Sequence, residues 1–275
     1  MDMAAGPEIK TVSSFMMDWS ENDGQSVPVH VTVPDRRALL ADLAARLDEG
    51  TGFSIATLNL DHVLKLRQDA GFRAAYAAHS HVTADGNPIV WLARLAGQSG
   101  VSLVPGAELI DPVAALAAKK GVPVGLFGAT TASLEAAAEA LKSAHPELVI
   151  TFVDAPPMGF DPNGERADQA IAAIRESGAR VIFLALGAPK QECFAARAQE
   201  MLSGVGFLSI GAGLDFVSGA QTRAPVWVRV IAMEWLWRLL SDPSRLAARY
   251  GACLAALPGL SWRALKARQK ERPVR

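Results

Sequence analysis

The strongest constraint on the fold is an alternation of short apolar runs with longer amphipathic stretches. Five runs are rich in β-formers: FSIATLN, VPVGLFG, LVITFVDA, RVIFLAL and FLSIGAG. The stretches between them have the periodicity of helices. Strands that are apolar throughout must be covered on both faces, and helices join parallel strands. We therefore predict an α/β protein: a parallel-sheet Rossmann-like core with helices on both faces and a C-terminal helical appendage.

Composition divides the chain into three parts. Residues 1–28 are polar and aperiodic, which predicts a mobile N-terminal tail. Residues 29–222 contain every strand-like run and form the predicted α/β core. Residues 223–275 have no such run and are rich in Trp, Leu and Arg, so they form the appendage, with two or three helices broken near Asp242–Pro243 and near Pro258–Gly259.

Charge is distributed unevenly along this chain. The net charge is only −1, yet residues 223–275 carry eleven cations and three anions. Their arginines interleave with Trp227, Trp235, Trp237 and Trp262, which is typical of an interfacial amphipathic helix. The appendage should therefore meet an anionic partner, either a phosphorylated lipid, a membrane surface or a nucleic acid.

Several other classes are disfavoured by the sequence. Cys193 and Cys253 lie far apart without metal-type spacing, so a reducing cytoplasm fits better than a disulfide framework or a zinc site. The N-terminus lacks a continuous apolar segment, and no uncharged run is long enough to span a bilayer. We expect a cytoplasmic protein that is soluble or peripheral.

Polar residues follow the ends of the predicted strands. In an open parallel sheet, ligands bind beyond the carboxyl ends of the strands. We therefore expect one site on one rim, built from these segments: Thr57-Leu58-Asn59, Asp85-Gly86-Asn87, Gly128-Ala129-Thr130-Thr131, Gly187 to Glu192, and Gly211 to Asp215.

Three of these segments leave alternatives open. Gly128 to Thr131 opens a helix whose N–H groups would face a diphosphate, although Thr130 or Thr131 as a plain N-cap explains it equally well. Asp85 is the best candidate for a general base with a raised pKa, or else it forms an Asx turn. In LGAPKQE, a cation, an amide and a carboxylate suggest a ligand, but Pro and Glu are also ordinary at a helix start.

Neither a metal nor a cofactor is expected. There is no Asp-x-Asp pair or His cluster to hold a divalent ion. The segment Gly128 to Thr131 is not a dinucleotide-binding fingerprint, because the third glycine of that motif is missing. His62, His79 and His81 are expected near the rim, without an identifiable partner.

A set of motifs lies along roughly residues 31–250. The most specific are Gly-x-Pro-Lys-Gln-Glu at 187–192 and Glu-Trp-x-x-Arg-Leu at 234–239. The others are Thr57-x-Asn59, Asp85-Gly86, Leu126-Phe127-Gly128, Gly211-x-Gly213 with Asp215-Phe216, Arg223-Ala224-Pro225, Pro243 and Arg245. In order and spacing, these motifs resemble the WecG/TagA/CpsF family of bacterial glycosyltransferases.

The resemblance implies transfer of a sugar from a nucleoside diphosphate donor to a glycan on a polyprenyl diphosphate, at the inner face of the cytoplasmic membrane. N-acetylmannosamine, its uronic acid, glucose and glucuronic acid are the candidate sugars. It implies that Asp85 is the base, with Thr57, Asn59 and Gln191 lining the pocket. Lys190 would offset diphosphate charge, and Glu192 would cap the helix or hold a hydroxyl. The other expected substrate-binding residues are Gly128, Thr130, Asp215, Arg223 and Arg238.

One stretch departs from the family pattern. Many members carry Arg-Val-x-Gly-x-Asp after the Asp-Gly helix, and here the stretch reads Leu103-Val104-Pro105-Gly106-Ala107-Glu108. An arginine that would contact a phosphate or a carboxylated sugar is therefore missing, and the donor sugar stays open.

These features together predict an inverting, metal-independent transferase. A base opposite a diphosphate supports one in-line displacement, and the arginines of the appendage, Arg223, Arg229, Arg238 and Arg245, would meet the charge of the leaving group. The expected partners are the sugar nucleotide, the lipid-linked acceptor, the membrane and a second copy of the chain, but no nucleic acid. The alternatives are a nucleotide-dependent oxidoreductase or epimerase, disfavoured by the missing Gly-x-Gly-x-x-Gly and Tyr-x-x-x-Lys, and a non-catalytic membrane-binding module.

Overall fold

A computed structural model describes residues 15–17, 29–222, 224–225, 227–228 and 233–270. Six parallel strands form the central sheet: β3 (Phe53–Leu58), β4 (His81–Ala84), β5 (Val124–Gly128), β6 (Ile150–Asp154), β7 (Val181–Ala185) and β8 (Gly206–Ser209). Their order across the sheet is β4-β3-β8-β7-β5-β6. A separate antiparallel pair joins β1 (Phe15–Met17) to β2 (Val29–Val31).

Helices surround this sheet. They are α1 (Arg36–Glu49), α2 (Leu60–Gln68), α3 (Ala70–Ala78), α4 (Asn87–Leu95), α5 (Ile110–Lys120), α6 (Thr131–Ala144), α7 (Glu165–Ser177), α8 (Lys190–Met201), α9 (Gly213–Val217), α10 (Glu234–Ser241) and α11 (Pro243–Lys270), with a 3₁₀ turn at Gly106–Glu108. One core cluster contains α1, α5 and α6, whereas α7 and α8 belong to another and α2 and α3 to a third. The predicted α/β, Rossmann-like class with a C-terminal helical part is confirmed.

The apolar strand runs are explained by this layering. On β7, Val181 and Phe183 enter the cluster of α1, α5 and α6, while Ile182 and Leu184 enter that of α7 and α8. All four side chains are fully buried. Because successive residues of a strand point to opposite faces, a sheet covered on both faces needs an apolar residue at every position.

The amphipathic stretch HVLKLRQDAGFRAAYAA, residues 62–78, has the sequence pattern of one helix but belongs to two helices in the structure. It divides at Asp69, which ends α2 and caps α3. Its Oδ1 accepts a hydrogen bond from the Phe72 N–H at 2.9 Å. Such a cap supplies a partner for an N–H group that the new helix leaves unpaired, so the chain can turn at little cost.

The C-terminal part has one of its two predicted breaks. The break at Asp242–Pro243 is confirmed, since α10 ends just before it and α11 begins at Pro243. The break at Pro258–Gly259 is wrong, because Pro258 lies inside α11. Both residues are exposed, so water can reach the carbonyl group that loses its N–H partner. Buried residues on either side of Pro258, Cys253 and Leu260, hold both halves against the core.

Other predictions fall partly outside the described residues. Within the expected N-terminal tail, Phe15–Met17 form β1, and residues 1–14 and 18–28 are not described. Arg223 and Arg229 also lie outside the described residues, as does the side chain of Arg245. No helix in the described ranges is long and apolar enough to cross a membrane.

Candidate active site

The predicted polar segments do lie on one rim of the sheet. All six strands are parallel, so their carboxyl ends share one edge. From the β4 edge inwards, the first residues beyond the strand ends are Asp85, Asn59, Ile210, Leu186 and Ala129. This order puts the candidate base at one end of the rim and the glycine-rich turn after β5 towards the other.

Asp85 is held at the end of β4 by its neighbours. Its N–H donates to the Leu58 carbonyl at 2.8 Å, which extends the β3–β4 pairing by one residue. The segment that follows α4 returns alongside β4, where the Val104 N–H donates to the Ala84 carbonyl and the Thr83 hydroxyl donates to the Val104 carbonyl. This return brings the Gly106 N–H to the Asp85 carboxyl.

The pKa of Asp85 is raised from its usual value to about 6, as the sequence predicted in direction. Removal from water is the main cause, because it penalises the charged form. The charge of Glu234 also raises the pKa, whereas Arg238 and hydrogen bonds from the Gly106 N–H and the Thr57 hydroxyl lower it. Helix α4 begins at Asn87, and its N-cap is Gly86, which has no side chain to cap the helix.

Thr57 and Gly106 form the floor beside Asp85. The Thr57 side chain is buried, and its hydroxyl lies 3.3 Å from the Ser209 carbonyl, which competes with Asp85 for its one proton. A Cβ added at Gly106 would lie 3.1 Å from the Thr57 methyl and 3.2 Å from the Ile210 Cα. A larger residue there would have to push these neighbours away by a few tenths of an ångström, so glycine favours the close approach of this backbone N–H to the carboxyl.

Asn59 has an identified structural contact. It is the N-cap of α2, and its Oδ1 accepts a hydrogen bond from the His62 N–H at 3.0 Å. Asn59 remains partly exposed at the rim. Its predicted contact with substrate stays a prediction, in which the side-chain amide would be held in place by the cap.

The C-terminal part supplies charge to this end of the rim. Helix α10 carries Glu234 and Arg238 four residues apart, which places both on one face. Both act on the Asp85 carboxyl, and the Arg238 guanidinium lies 5.4 Å from the centre of the Phe216 ring. Such a cation–π contact restrains the arginine while leaving its N–H groups available.

The start of α8 is buried under the rim. Gln191 is 2% exposed, and its Oε1 accepts from the Gly211 N–H at 3.0 Å while its Nε2 donates to Glu192 at 2.8 Å. Glu192 is fully buried, and burial raises the pKa of its carboxyl to about 7. Lys190, the first residue of α8, is half-buried. Binding of substrate by these three side chains stays a prediction.

The other predicted residues lie at the β5 end. Gly128 has φ +115°, and a Cβ there would lie 2.5 Å from the Ala185 carbonyl carbon. The Thr130 hydroxyl accepts from the Ser133 N–H at 3.2 Å, so the N-cap alternative describes what this residue does here. Asp215 accepts from the Ser133 hydroxyl and the Gln221 amide, tying α9 to α6.

The three histidines all have partners, and two of them lie away from the rim. His62 Nδ1 is 2.6 Å from the Tyr76 hydroxyl, and burial lowers the pKa of His62 to about 3. His79 precedes β4 and contacts the Ala75 carbonyl, whereas His81 begins β4 and contacts Asp42 at 2.7 Å. The amino end of β4 is opposite the rim, so the expected position of these two was wrong.

Three residues at the site were assigned no role in the sequence. They are Gly106, which supplies an N–H to Asp85, Glu234, which raises its pKa, and Phe216, which holds Arg238. Phe216 and Glu234 lie inside motifs that resembled the family, whereas Gly106 lies in the stretch that departs from the family pattern, and none of the three was expected to act at the site. Only the tertiary contacts reveal what these residues do.

The glycosyltransferase family model WecG/TagA/CpsF matches residues 25–273, nearly the whole chain. The chain therefore belongs to the WecG/TagA/CpsF family of glycosyltransferases, as the motifs indicated. The family implies a transferase of cell-surface polysaccharide synthesis that uses a nucleotide-sugar donor and a lipid-linked acceptor.

Proposed function

We propose that this protein is an inverting, metal-independent glycosyltransferase with Asp85 as its general base. The donor is a nucleoside diphosphate sugar. The first candidates to test are UDP-N-acetylmannosamine, its uronic acid, UDP-glucose and UDP-glucuronate. The acceptor is a glycan on a polyprenyl diphosphate. The observation that supports this proposal most is the half-buried Asp85 on the rim, between the Gly106 N–H and the charge of Arg238.

The proposed reaction is a single displacement. Asp85 takes the proton of the acceptor hydroxyl while that oxygen bonds to the anomeric carbon of the donor sugar. The bond from the anomeric carbon to the diphosphate breaks on the opposite side, so the configuration inverts and the nucleoside diphosphate leaves. With a pKa near 6, the Asp85 carboxyl is mostly ionised at neutral pH and remains basic enough to accept the proton.

The negative charge that develops on the leaving diphosphate needs a cation. Arg238 supplies one beside Asp85, and we propose that Arg223 and Arg245 add to it. Lys190 at the start of α8 offers a further positive charge on the same rim. Within the described ranges, no three His, Cys, Asp or Glu side chains are grouped as a metal site would need. The proposal therefore assigns stabilisation of the leaving group to these basic side chains.

A membrane-facing surface is proposed on α4 and α11, which pack side by side. Four large apolar side chains are exposed there: Trp91 (47%), Leu95 (36%), Trp262 (61%) and Leu265 (42%). We call these four residues the tryptophan face. Basic residues accompany them, including Lys266, whose ammonium lies 5.1 Å from the centre of the Trp262 ring. Exposed indoles next to cations fit an anionic lipid interface.

The tryptophan face extends the appendage prediction into the core. The sequence placed membrane binding in residues 223–275 alone, whereas Trp91 and Leu95 belong to α4 of the 29–222 core. Helix α4 begins at Asn87, two residues after Asp85, so one helix would connect the candidate base with the lipid surface. We propose that the protein binds the inner face of the cytoplasmic membrane peripherally and receives its lipid-linked acceptor there.

A donor screen tests the proposal. Purified protein is mixed with each sugar nucleotide and a synthetic prenyl-diphosphate glycan, with and without EDTA, and mass spectrometry follows the product. We expect one donor to be transferred, with EDTA having no effect and NMR showing an inverted anomeric configuration. Retention of configuration, or loss of transfer in EDTA with recovery in Mg²⁺ or Mn²⁺, would contradict the proposed mechanism.

A further inference from the structure

Glu192 is a buried acid for which the described part of the chain provides no ion-pair partner. It lies in the first turn of α8, and its side chain is fully buried. Its Oε1 accepts a hydrogen bond from Gln191 at 2.8 Å, and its own backbone N–H also acts on the carboxyl. Among the described residues, Oε2 has no hydrogen-bond partner. The charge of Lys65 acts on Glu192, but the Lys65 ammonium donates to Asp61 at 2.9 Å and to the Ala188 carbonyl at 3.2 Å.

This environment favours the neutral acid. A buried carboxylate costs several kcal/mol unless it is paired and hydrogen-bonded at both oxygens. The groups that face Glu192 are Lys65 from α2, Tyr76 from α3, and Gln191 and Cys193 from α8. Burial is the main cause that raises the pKa of Tyr76 and of Cys193, and the charge of an ionised Glu192 raises both further, so neither side chain supplies a compensating positive charge.

The hydrogen bonds of Gln191 fix its orientation. A backbone N–H can only donate, so the amide oxygen of Gln191 must face Gly211 and the amide nitrogen must face Glu192. Glu192 therefore has to accept at Oε1, which a protonated carboxyl can still do through its carbonyl oxygen. This chain of two hydrogen bonds connects α8 to the turn after β8.

That turn leads into the substrate side of the rim. Gly211 has φ +56°, and α9 follows two residues later with Asp215 and Phe216. Phe216 in turn contacts Arg238. A change at Glu192 would therefore reach the donor-binding groups without Glu192 touching the substrate.

We infer that Glu192 is a positioning residue that works as a neutral acid, holding Gln191 and the Gly211 turn in the geometry that binds the sugar nucleotide. The kinetic part of this inference rests on the proposed transferase function. The protonation state of Glu192 does not, so it can be tested even if no donor is found.

Infrared difference spectroscopy tests the protonation state in the full-length protein. Glu192→Gln is compared with Glu200→Gln, which changes an exposed glutamate on the same helix. At pH 6, the spectrum of the wild type minus Glu192→Gln should contain the C=O band of a protonated carboxyl. The Glu200→Gln difference should contain only carboxylate bands. Carboxylate bands alone for Glu192 would overturn the inference.

Thermal unfolding gives a second readout. Because the pKa of Glu192 is raised in the folded state, the folded protein retains a proton that the unfolded chain releases between its ordinary pKa of 4.5 and about 7. The wild type should therefore lose stability relative to Glu192→Gln as pH rises through this window, by about 2 °C or more in Tm. A difference in Tm that does not change with pH would contradict a neutral buried acid.

Kinetics test the positioning role. Glu192→Ala leaves the Gln191 amide without its acceptor and should raise KM for the donor about tenfold, with less effect on kcat. Glu192→Gln offers an acceptor of the same shape and should restore KM, whereas Glu192→Asp keeps the carboxyl but is too short and should not. If Glu192→Ala does not fold, the other two variants decide: an active Asp variant with an inactive Gln variant would show that Glu192 works as a carboxylate.

Discussion

The two sides of the Asp85 carboxyl are supported very differently. On one side, Thr57 and Gly106 belong to the packed core, and the Thr57 side chain is 4% exposed. On the other side, Glu234 and Arg238 lie on α10, in which no residue is buried. The sheet side is therefore fixed by the core, whereas the helix side is held by surface contacts such as that of Arg238 with Phe216. Such a division allows the charge around the base to change while the base itself stays in place.

The largest effect is expected at the sheet side. Asp85→Asn keeps the shape of the carboxyl but cannot accept a proton, so transfer should fall by about 10²–10⁴. The variant should remain folded. Because the pKa of Asp85 is raised in the folded state, the wild-type protein loses stability as pH rises from 3.8 to about 6. Asp85→Asn should therefore melt no lower than the wild type at pH 7. Near-native turnover would remove Asp85 from the role of base.

A smaller loss is expected on the helix side. Arg238→Gln should lower transfer about 10²-fold, because it removes the side chain that we propose stabilises the leaving diphosphate. The exposed Arg175 on α7 provides a matched control, and Arg175→Gln should be unaffected. If both variants behave alike, Arg238 does not act at the site.

The same helix should also tune the pH profile in opposite directions. Arg238 lowers the pKa of Asp85 and Glu234 raises it. The acid limb of kcat/KM should therefore move to higher pH in Arg238→Gln and to lower pH in Glu234→Gln. Displacement of both variants in the same direction would show that α10 does not set the charge around Asp85.

Membrane binding should depend on α4, which belongs to the 29–222 domain, and on α11 of the appendage. Trp91→Ala in α4 and Trp262→Ala in α11 should each weaken binding to anionic liposomes about tenfold, which is the effect of losing roughly 1.4 kcal/mol of apolar burial. Met158, fully exposed in the loop after β6 at the opposite edge of the sheet, is a control position. A loss in Trp262→Ala alone would confine membrane binding to the appendage.

The smallest effect on transfer is expected at the contact between Phe216 of α9 and Arg238 of α10. Phe216→Leu removes the cation–π contact with Arg238, worth about 0.5–1 kcal/mol, so transfer should fall about two- to fivefold. Phe216→Trp preserves an aromatic face and should remain near the wild type. Equal losses in both variants would indicate a packing role for Phe216 instead.

The alternating apolar runs and the strand-end residues were sufficient to predict the sheet and the rim. The strand β7, apolar on both faces, illustrates why: burial on two sides leaves a local pattern that a sequence displays directly. The helix break predicted at Pro258–Gly259 was wrong because a helix tolerates a proline where the preceding turn is exposed, and the local sequence does not show that exposure. The positions of His79 and His81 could have been predicted from the order of the chain, because both precede the end of β4 that leads into Asp85 and therefore lie at the amino end of that strand.

The sequence could predict only those site residues whose own side chains would take part in the reaction. Asp85 could be selected as a carboxyl at a strand end, and the raised direction of its pKa follows from that position. Gly106 and Phe216 could not, because one acts through a backbone N–H and the other through a ring face. Both contacts join residues more than twenty positions apart in the chain, so they exist only once the fold brings the segments together.

The most direct test of Asp85 as the base is the pH dependence of kcat/KM, measured with a water-soluble acceptor on the wild type and on Asp85→Asn. We expect the wild-type value to fall below pH about 6 with the slope of a single ionisation, as the carboxyl becomes protonated. The residual activity of Asp85→Asn should lack that limb. An acid limb at the same pH in both proteins would mean that another group accepts the proton, and the assignment of Asp85 would be wrong.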